Sequence, residues 1–334
     1  MNNNLNQNLV VGLDAGGTRT RAVLADDASG ATWSEGVAGP GNALTVTPAD
    51  LADHLAWAIG EAVPAGLRGQ VVAVGAGFAG ADRTPDDEPG RVAALAALAT
   101  ACGRLGITPA VVEVCSDLEA CFASAPGTPA EGLALVAGTG SVAARIEDRA
   151  ITATADGNGW LIGDDGSGFW IGRSAVRASL NMGHGRGRPT TLTAAVGRAL
   201  LPGRQLPEGP AEAWSDRQRQ AYRARLLPAV MSEPPVRLAR LAPLVAESAR
   251  GGDPVAAAIL DDAAELLAAT VRTLDPRPGE RLVGTGGLLG PDGPLTARLA
   301  PHLDALGLRT DWAEDGRRGA VALARIAYGR LPAC

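Results

Sequence analysis

The chain has 334 residues, 46% of them hydrophobic, and a formal net charge of −6. That mild acidity, with 30 scattered basic residues that are all arginine, argues against a nucleic-acid or anionic-membrane partner, either of which favours a basic face. Without lysine there is no GK[ST] phosphate loop, no kinase strand lysine and no Schiff-base lysine, so P-loop NTPases, protein kinases and pyridoxal-phosphate enzymes are excluded.

After an Asn-rich polar tail (Met1 to Asn8) with no signal-peptide core, Leu9–Asp14 is a short apolar run ending at an acid. Ala15-Gly16-Gly17-Thr18 turns the chain into the alternating segment Arg19–Ala25, which reads as a β-hairpin. Ala31–Val37 supplies a third strand. Thr47 reads as an N-cap, with Pro48 at the first helical position and Asp50 in the first turn. Leu51, Leu55, Ile59 and Val63 then recur every four residues, so a helix follows. Strand Val71–Gly75, helix Arg91–Arg104, strand Ala110–Cys115 and a short helix from Asp117, capped by Ser116, complete the order β-β-β-α-β-α-β-α.

The second half opens in the same way. Leu133–Ala137, the turn Gly138-Thr139-Gly140, Ser141–Ile146 and Ile151–Ala155 repeat the three strands, and a helix starts near Ser167. Several helices are expected between Thr190 and Thr273, separated by turns such as Leu201-Pro202-Gly203 and Ser232-Glu233-Pro234-Pro235. Strand Arg281–Gly284, helix Leu295–Leu306, strand Leu308–Asp311 and helix Gly316–Tyr328 close the pattern. The fold expected is therefore α/β, one unit duplicated, with a helical block inserted in the second copy.

No stretch approaches the roughly 18 apolar residues of a membrane span. The four cysteines (Cys102, Cys115, Cys121 and Cys334) show no CxxC spacing and read as buried thiols in a reducing, cytoplasmic compartment, with Cys115 and Cys121 in the core. With three histidines, a His-rich metal site is not expected; His184, in an Arg/Gly-rich loop, reads as a surface residue.

Six segments carry candidate chemistry. The first glycine turn brings backbone N–H groups and the Thr18 hydroxyl where a phosphate can approach without a Cβ in the way. Asp14, at the strand end, can hold Mg²⁺ directly or through water. The same residues also make an ordinary Gly-Gly hairpin. Gly138-Thr139-Gly140-Ser141 repeats that chemistry in the second copy. Asp117, between a buried strand and a helix, can take a proton from an attacking hydroxyl, and as a bare pattern it also reads as a plain N-cap. The loop Gly157–Gly168 offers Asn158, Asp164, Asp165 and Trp160 to a sugar, whose vicinal hydroxyls pair with amides and carboxylates and whose ring a Trp can cover. Asn42 reads as another sugar contact or as turn chemistry, and Thr285-Gly286 as a strand–helix turn or a support for adenosine.

Taken together, Leu13-Asp14-Ala15-Gly16-Gly17-Thr18-Arg19-Thr20, Ser116-Asp117, Val136-Ala137-Gly138-Thr139-Gly140-Ser141 and Gly163-Asp164-Asp165-Gly166-Ser167 resemble the N-acetylglucosamine kinase / BadF-type ATPase family, within the actin-like sugar kinase superfamily. The resemblance implies two RNase H-like (actin-like ATPase) domains closing around ATP and Mg²⁺. Residues 1–116 would form the first and 117–314 the second, with its insertion at about 190–275. The last helix, about 315–330, would pack back on the first domain. By the same resemblance Asp14 serves the metal, and Gly16, Gly17, Thr18, Arg19, Gly138, Thr139, Gly140 and Ser141 serve the phosphates. Thr285 and Gly286 lie near the adenosine. Asp117 deprotonates the sugar 6-hydroxyl, and Asn42, Gly157, Asn158, Gly159 and Asp164 line the sugar. Family kinases are often dimers, so a homodimer is implied.

Three departures bear on the sugar. Asn158 stands where the family often has a Trp, with Trp160 displaced by two; Asp165 replaces a frequent Glu; and no aromatic lies near Asn42. N-acetylglucosamine, glucosamine and N-acetylmuramic acid all suit the scaffold. Two other readings share the fold. One is an ATP-driven activator with an iron–sulfur cluster between subunits, for which Cys115 and Cys121 are poorly spaced. The other is a non-catalytic sugar or nucleotide sensor, which has no use for the general base Asp117.

Overall fold

β1 (Leu9–Ala15) is buried along its whole length, as a central strand with both faces covered must be. Leu9, Val11, Leu13 and Ala15 enter one core and Val10 another. It pairs antiparallel with β2 (Thr20–Asp26), which pairs antiparallel with β3 (Thr32–Ala38). β4 (Val71–Phe78) lies parallel to β1 on its other side and β5 (Val111–Ser116) follows. The sheet order is β3-β2-β1-β4-β5. The computed structural model describes residues 7–332 apart from 84, 202, 204, 205 and 208. Most of the polar tail, Pro202 of the expected Leu201–Gly203 turn and Cys334 lie outside the described residues.

The second sheet repeats the first. β6 (Gly132–Ala137), β7 (Ser141–Glu147), β8 (Ala150–Asp156), β9 (Arg281–Thr285) and β10 (Arg309–Trp312) are ordered β8-β7-β6-β9-β10, with the same pattern of parallel and antiparallel neighbours. The α/β duplication expected from the sequence is present. β4 runs three residues past the expected end, because Ala76 and Phe78 are buried and the parallel pairing with β5 continues to Ser116.

α1 (Pro48–Ala62) starts where Thr47 accepts from the Asp50 amide, with proline at the first position, the arrangement that a helix N-terminus favours. α2 (Pro89–Leu105) starts two residues before Arg91, because the Glu88 carboxylate caps the amides of Gly90 and Arg91. Between β8 and β9 stand α4 (Gly168–Gly183), α5 (Leu192–Leu200), α6 (Asp216–Met231), α7 (Ala242–Arg250) and α8 (Pro254–Arg272). They share a large apolar core with Leu133, Leu135 and Ala137 of β6. α9 (Thr296–Ala305) joins β9 to β10.

Two helices position the site. α3 (Asp117–Ala123) leaves the end of β5 and packs Phe122 against Ala134, Ala144, Ile146 and Val283 of the second sheet. α10 (Arg317–Gly329) leaves the second sheet and packs Val321 and Ala324 against Val10, Val23, Ala25 and Ala73 of the first. Each half therefore covers the other with its last helix. The fit is tight: a Cβ at Gly75 would lie 2.1 Å from the Ala320 carbonyl oxygen, and one at Gly319 would lie 1.8 Å from that of Ala120. Among the described residues no helix is long and apolar enough to cross a membrane.

Candidate active site

Strand periodicity aims Asp14. Val10 and Asp14 share the face of β1 that α10 covers, and at Gly12, between them, a Cβ would strike Val321 Cγ2 at 2.5 Å and the Arg317 carbonyl at 2.6 Å. Helix α10 thus comes close enough to bring Asp315, just before its first turn, beside Asp14. Both carboxylates are buried, each 9% exposed. Arg21 Nη1 lies 3.3 Å from Asp14 Oδ2 and 3.9 Å from Asp315 Oδ2. Arg317 holds Asp315 from the other side, Nε to Oδ2 at 2.8 Å, and continues to Glu35 at 2.6 Å. Burial above all, then the charges of Asp315 and Asp117, push the Asp14 carboxyl up to about 6, against the pull of Arg21.

Asp117 is the first residue of α3. Ser116 caps that helix by accepting from the Leu118 amide at 3.1 Å, and Glu119 completes a capping box by accepting from the Ser116 amide at 3.0 Å. Because Ser116 and Glu119 satisfy the cap, Asp117 is not needed as the N-cap. Its Oδ1 accepts from the neighbouring Leu118 amide, at 2.9 Å. Burial holds its carboxyl above the ordinary range, and Asp82 adds like charge against hydrogen bonds that lower it.

Asp14, Asp117 and Asp315 open into a cleft of about 900 Å³ between the sheets, also lined by Gly16, Thr18, Arg19, Thr285 and Gly286. Residues assigned to metal, base, phosphate and adenosine on sequence grounds thus share one cleft. Cys121, expected to be a core thiol, also lines it, although burial keeps it well above the ordinary thiol range. A second hollow of about 630 Å³ shares Gly287, Pro291, Asp292 and Gly293 with the cleft and continues past Leu260, Arg250 and Arg298.

The glycines separate into two kinds. Gly286 has φ +100, and a Cβ there would stand 2.3 Å from the Ala137 carbonyl oxygen, so packing alone requires glycine. At Gly17 and Gly138 φ is not positive, and a Cβ would meet nothing within 4 Å. Neither backbone conformation nor packing excludes a side chain at these two hairpin tips.

The other expected residues fall elsewhere. Gly138, Thr139, Gly140 and Ser141 do not line the cleft; the carbonyls of Gly138 and Thr139 accept from the first amides of α4, Gly168 at 2.8 Å and Phe169 at 3.1 Å. Asp164 joins this hairpin rather than Asp117, its Oδ1 accepting from the Ser141 amide at 3.2 Å. Gly157, Asn158 and Gly159 form the loop between β8 and Asp164, and Trp160 sets its edge on Phe169, with centroids 5.5 Å apart. Asn42 Oδ1 is used by its own turn, accepting from the Leu44 and Thr45 amides, while the Gly41 amide donates to the Gly16 carbonyl and fixes this turn to the first hairpin.

Four participants were not anticipated from the sequence: Asp315, Arg21, Glu119 and Asp156. For Glu119 a signal existed, since Ser116-x-x-Glu119 is a capping-box spacing. For Arg21 the signal was the register of the first hairpin, which sets it directly opposite Asp14; for Asp315 there was none, because its contacts come from chain segments far apart in sequence.

The whole arrangement was compared with known proteins. The family model described as BadF/BadG/BcrA/BcrD ATPase family matches residues 11–297. An N-acetylmuramic acid/N-acetylglucosamine kinase of Clostridium acetobutylicum is 30% identical over 187 residues, which is 55% of this chain and 57% of that relative. The chain thus spans little more than half of that curated relative. A candidate N-acetylglucosamine kinase of Chromobacterium violaceum superposes with a TM-score of 0.65 at 25% identity, covering 95% of this chain and 99% of that one. A ROK family glucokinase of Streptomyces griseus, solved with glucose and AMPPNP, has the same fold, with a TM-score of 0.54 at 19% identity and coverage of 95% and 99%.

Proposed function

The chain belongs to the BadF/BadG/BcrA/BcrD ATPase family, and from that footing we propose that it is a sugar kinase, moving the γ-phosphoryl group of ATP to the 6-hydroxyl of an amino sugar, N-acetylglucosamine or glucosamine. The observation that carries this reading is the presence of Asp117, freed from capping duty, in the same cleft as the first glycine hairpin and Asp14. A sensor needs the hairpin but has no use for a half-buried carboxylate beside it that the helix cap does not require.

Asp117 accepts the proton of the acceptor hydroxyl, and its raised affinity for protons suits a base working near neutral pH. Arg19 and Arg21 supply positive charge on the phosphate side, in place of the lysine that the chain lacks. The amides of Gly17–Arg19 cradle phosphate oxygens, and the Thr18 hydroxyl donates beside them; the amides of Thr139 and Gly140 do the same from the second sheet, while Gly16, Gly138 and Ser141 shape the two turns through their own internal bonds. Thr285 and Gly286 support the adenosine, whose base extends into the adjoining hollow. Asn42, Gly157, Asn158, Gly159 and Asp164 bind the sugar.

The donor set also suits Mg²⁺. Burial, then the like charge of Asp315 and Asp117, pushes the Asp14 carboxyl up to about 6; a hard cation relieves the repulsive part, and Mg²⁺ is commonly held by one or two carboxylates with waters and substrate phosphates. Among the described residues no group of three His, Cys, Asp or Glu residues is arranged to ligate a metal alone, so Asp14 would be the protein's contribution. The cation supplies charge neutralisation on the phosphates.

The Asp117→Asn variant tests the base. Turnover is expected to fall by roughly 10²–10⁴-fold, the usual contribution of a positioned base, with ATP affinity by calorimetry unchanged. Activity equal to wild type would remove Asp117 from the mechanism.

A further inference from the structure

Asp156 ends β8 in left-handed backbone, with φ +63, and eight residues on Asp164 has φ +57. This region is uncommon for residues with a Cβ, although aspartate enters it more readily than most, and bonds from the surroundings can hold a residue there. Here the imposing bonds are visible. The amides of Asp164 and Asp165 donate to the two oxygens of Asp156, at 2.8 Å each. Gly163 lets the carboxylate reach them, since a Cβ there would lie 2.3 Å from Asp156 Oδ1. With its backbone so fixed, Asp164 lays its carboxylate across Gly140, and Oδ1 accepts from the Ser141 amide. Among the described residues nothing donates to Asp164 Oδ2.

We propose that Asp156 is a positioning residue of the sugar site: it locks Asp164 so that one oxygen holds the second glycine hairpin and the other faces a sugar hydroxyl. The inference rests on the sugar-kinase reading and adds to it a residue that reading does not use. The two bonds that Asp156 accepts are charge-assisted, so one carboxylate is enough to hold two successive amides. The hairpin itself stays held by the bonds of Gly138 and Thr139 to the first amides of α4, so the contact that depends on Asp156 is the one to the sugar.

The left-handed φ makes glycine the most informative replacement, because glycine adopts that conformation without strain. Asp156→Gly therefore removes the carboxylate while relieving the backbone. A merely structural cap predicts the opposite pattern, a lower Tm with sugar kinetics intact. The experiment measures Tm and both KM values of the full chain for wild type, Asp156→Gly and Asp156→Asn. For Asp156→Gly the sugar KM is expected to rise roughly ten- to hundredfold, with the ATP KM within about twofold and no drop in Tm. Asp156→Asn, which keeps one carbonyl acceptor, falls between. A sugar KM within about twofold of wild type in Asp156→Gly, or a parallel rise of both KM values, overturns the proposal. A wild type that neither phosphorylates nor binds any sugar overturns the kinase reading and this proposal together, whereas wild-type turnover with an unmoved Asp156→Gly overturns the proposal alone.

Discussion

Asp14 is held in its fold at a cost. In the unfolded chain it has the ordinary carboxyl value of 3.8, and in the fold burial with Asp315 and Asp117 takes it to about 6. The folded state therefore binds more protons between those values. Its contribution to stability is fully present below the unfolded value and is lost as pH rises through about 6. Above that pH the charged Asp14 is destabilising by up to about 3 kcal/mol, at roughly 1.4 kcal/mol per pKa unit. Asp14→Asn in metal-free buffer is thus expected to raise the Tm at pH 8 and to leave it unchanged at pH 4, while abolishing turnover. Equal shifts at both pH values by calorimetry would contradict this. Asp14 and Asp117 were legible in the sequence because each ends an apolar strand at the edge where ligands collect. Asp315 was not, because its meaning depends on how closely α10 approaches Gly12, some three hundred residues earlier. Asn42 was half legible: the turn chemistry is present, and its role toward a sugar is a proposal.

At the scale of elements, the strands and helices follow from capping and periodicity; most of their ends lie within a residue of the expected ones, and the larger shifts come where pairing or a cap extends an element, as at Phe78 and Glu88. What the sequence could not separate is glycine needed for packing from glycine needed for function. The two kinds predict different outcomes. Gly17→Ala, at a tip where a Cβ touches nothing, is expected to leave Tm unchanged and to weaken ATP binding about tenfold, because the methyl group would stand where phosphate meets backbone. Gly12→Ala, which drives a methyl into α10, is expected to lose at least about 1–3 kcal/mol, the usual cost of overpacking. Denaturant unfolding and nucleotide titration of the pair read both effects. A destabilised Gly17→Ala with normal ATP binding would make the hairpin tip structural.

At the scale of the whole molecule, the duplication was legible because two weakly similar halves share one element order and two glycine turns. The exchange of α3 and α10 between the sheets was not, since helix placement depends on tertiary contacts such as Gly319 against Ala120. That exchange puts Asp117 and Asp315 at the floor of a cleft that neither half forms alone. It leaves the loop with Asp164 on the second hairpin, apart from the cleft lining, so the proposed sugar site requires the two halves to close on each other, a motion of the kind that completes many enzyme sites. The central claim is phosphoryl transfer to a sugar, and ADP release measured with glucosamine, N-acetylglucosamine, N-acetylmuramic acid and glucose tests it most directly. The account predicts ADP release that depends on an amino sugar and matches the sugar phosphate formed; ADP release no faster with any sugar than without one would contradict it.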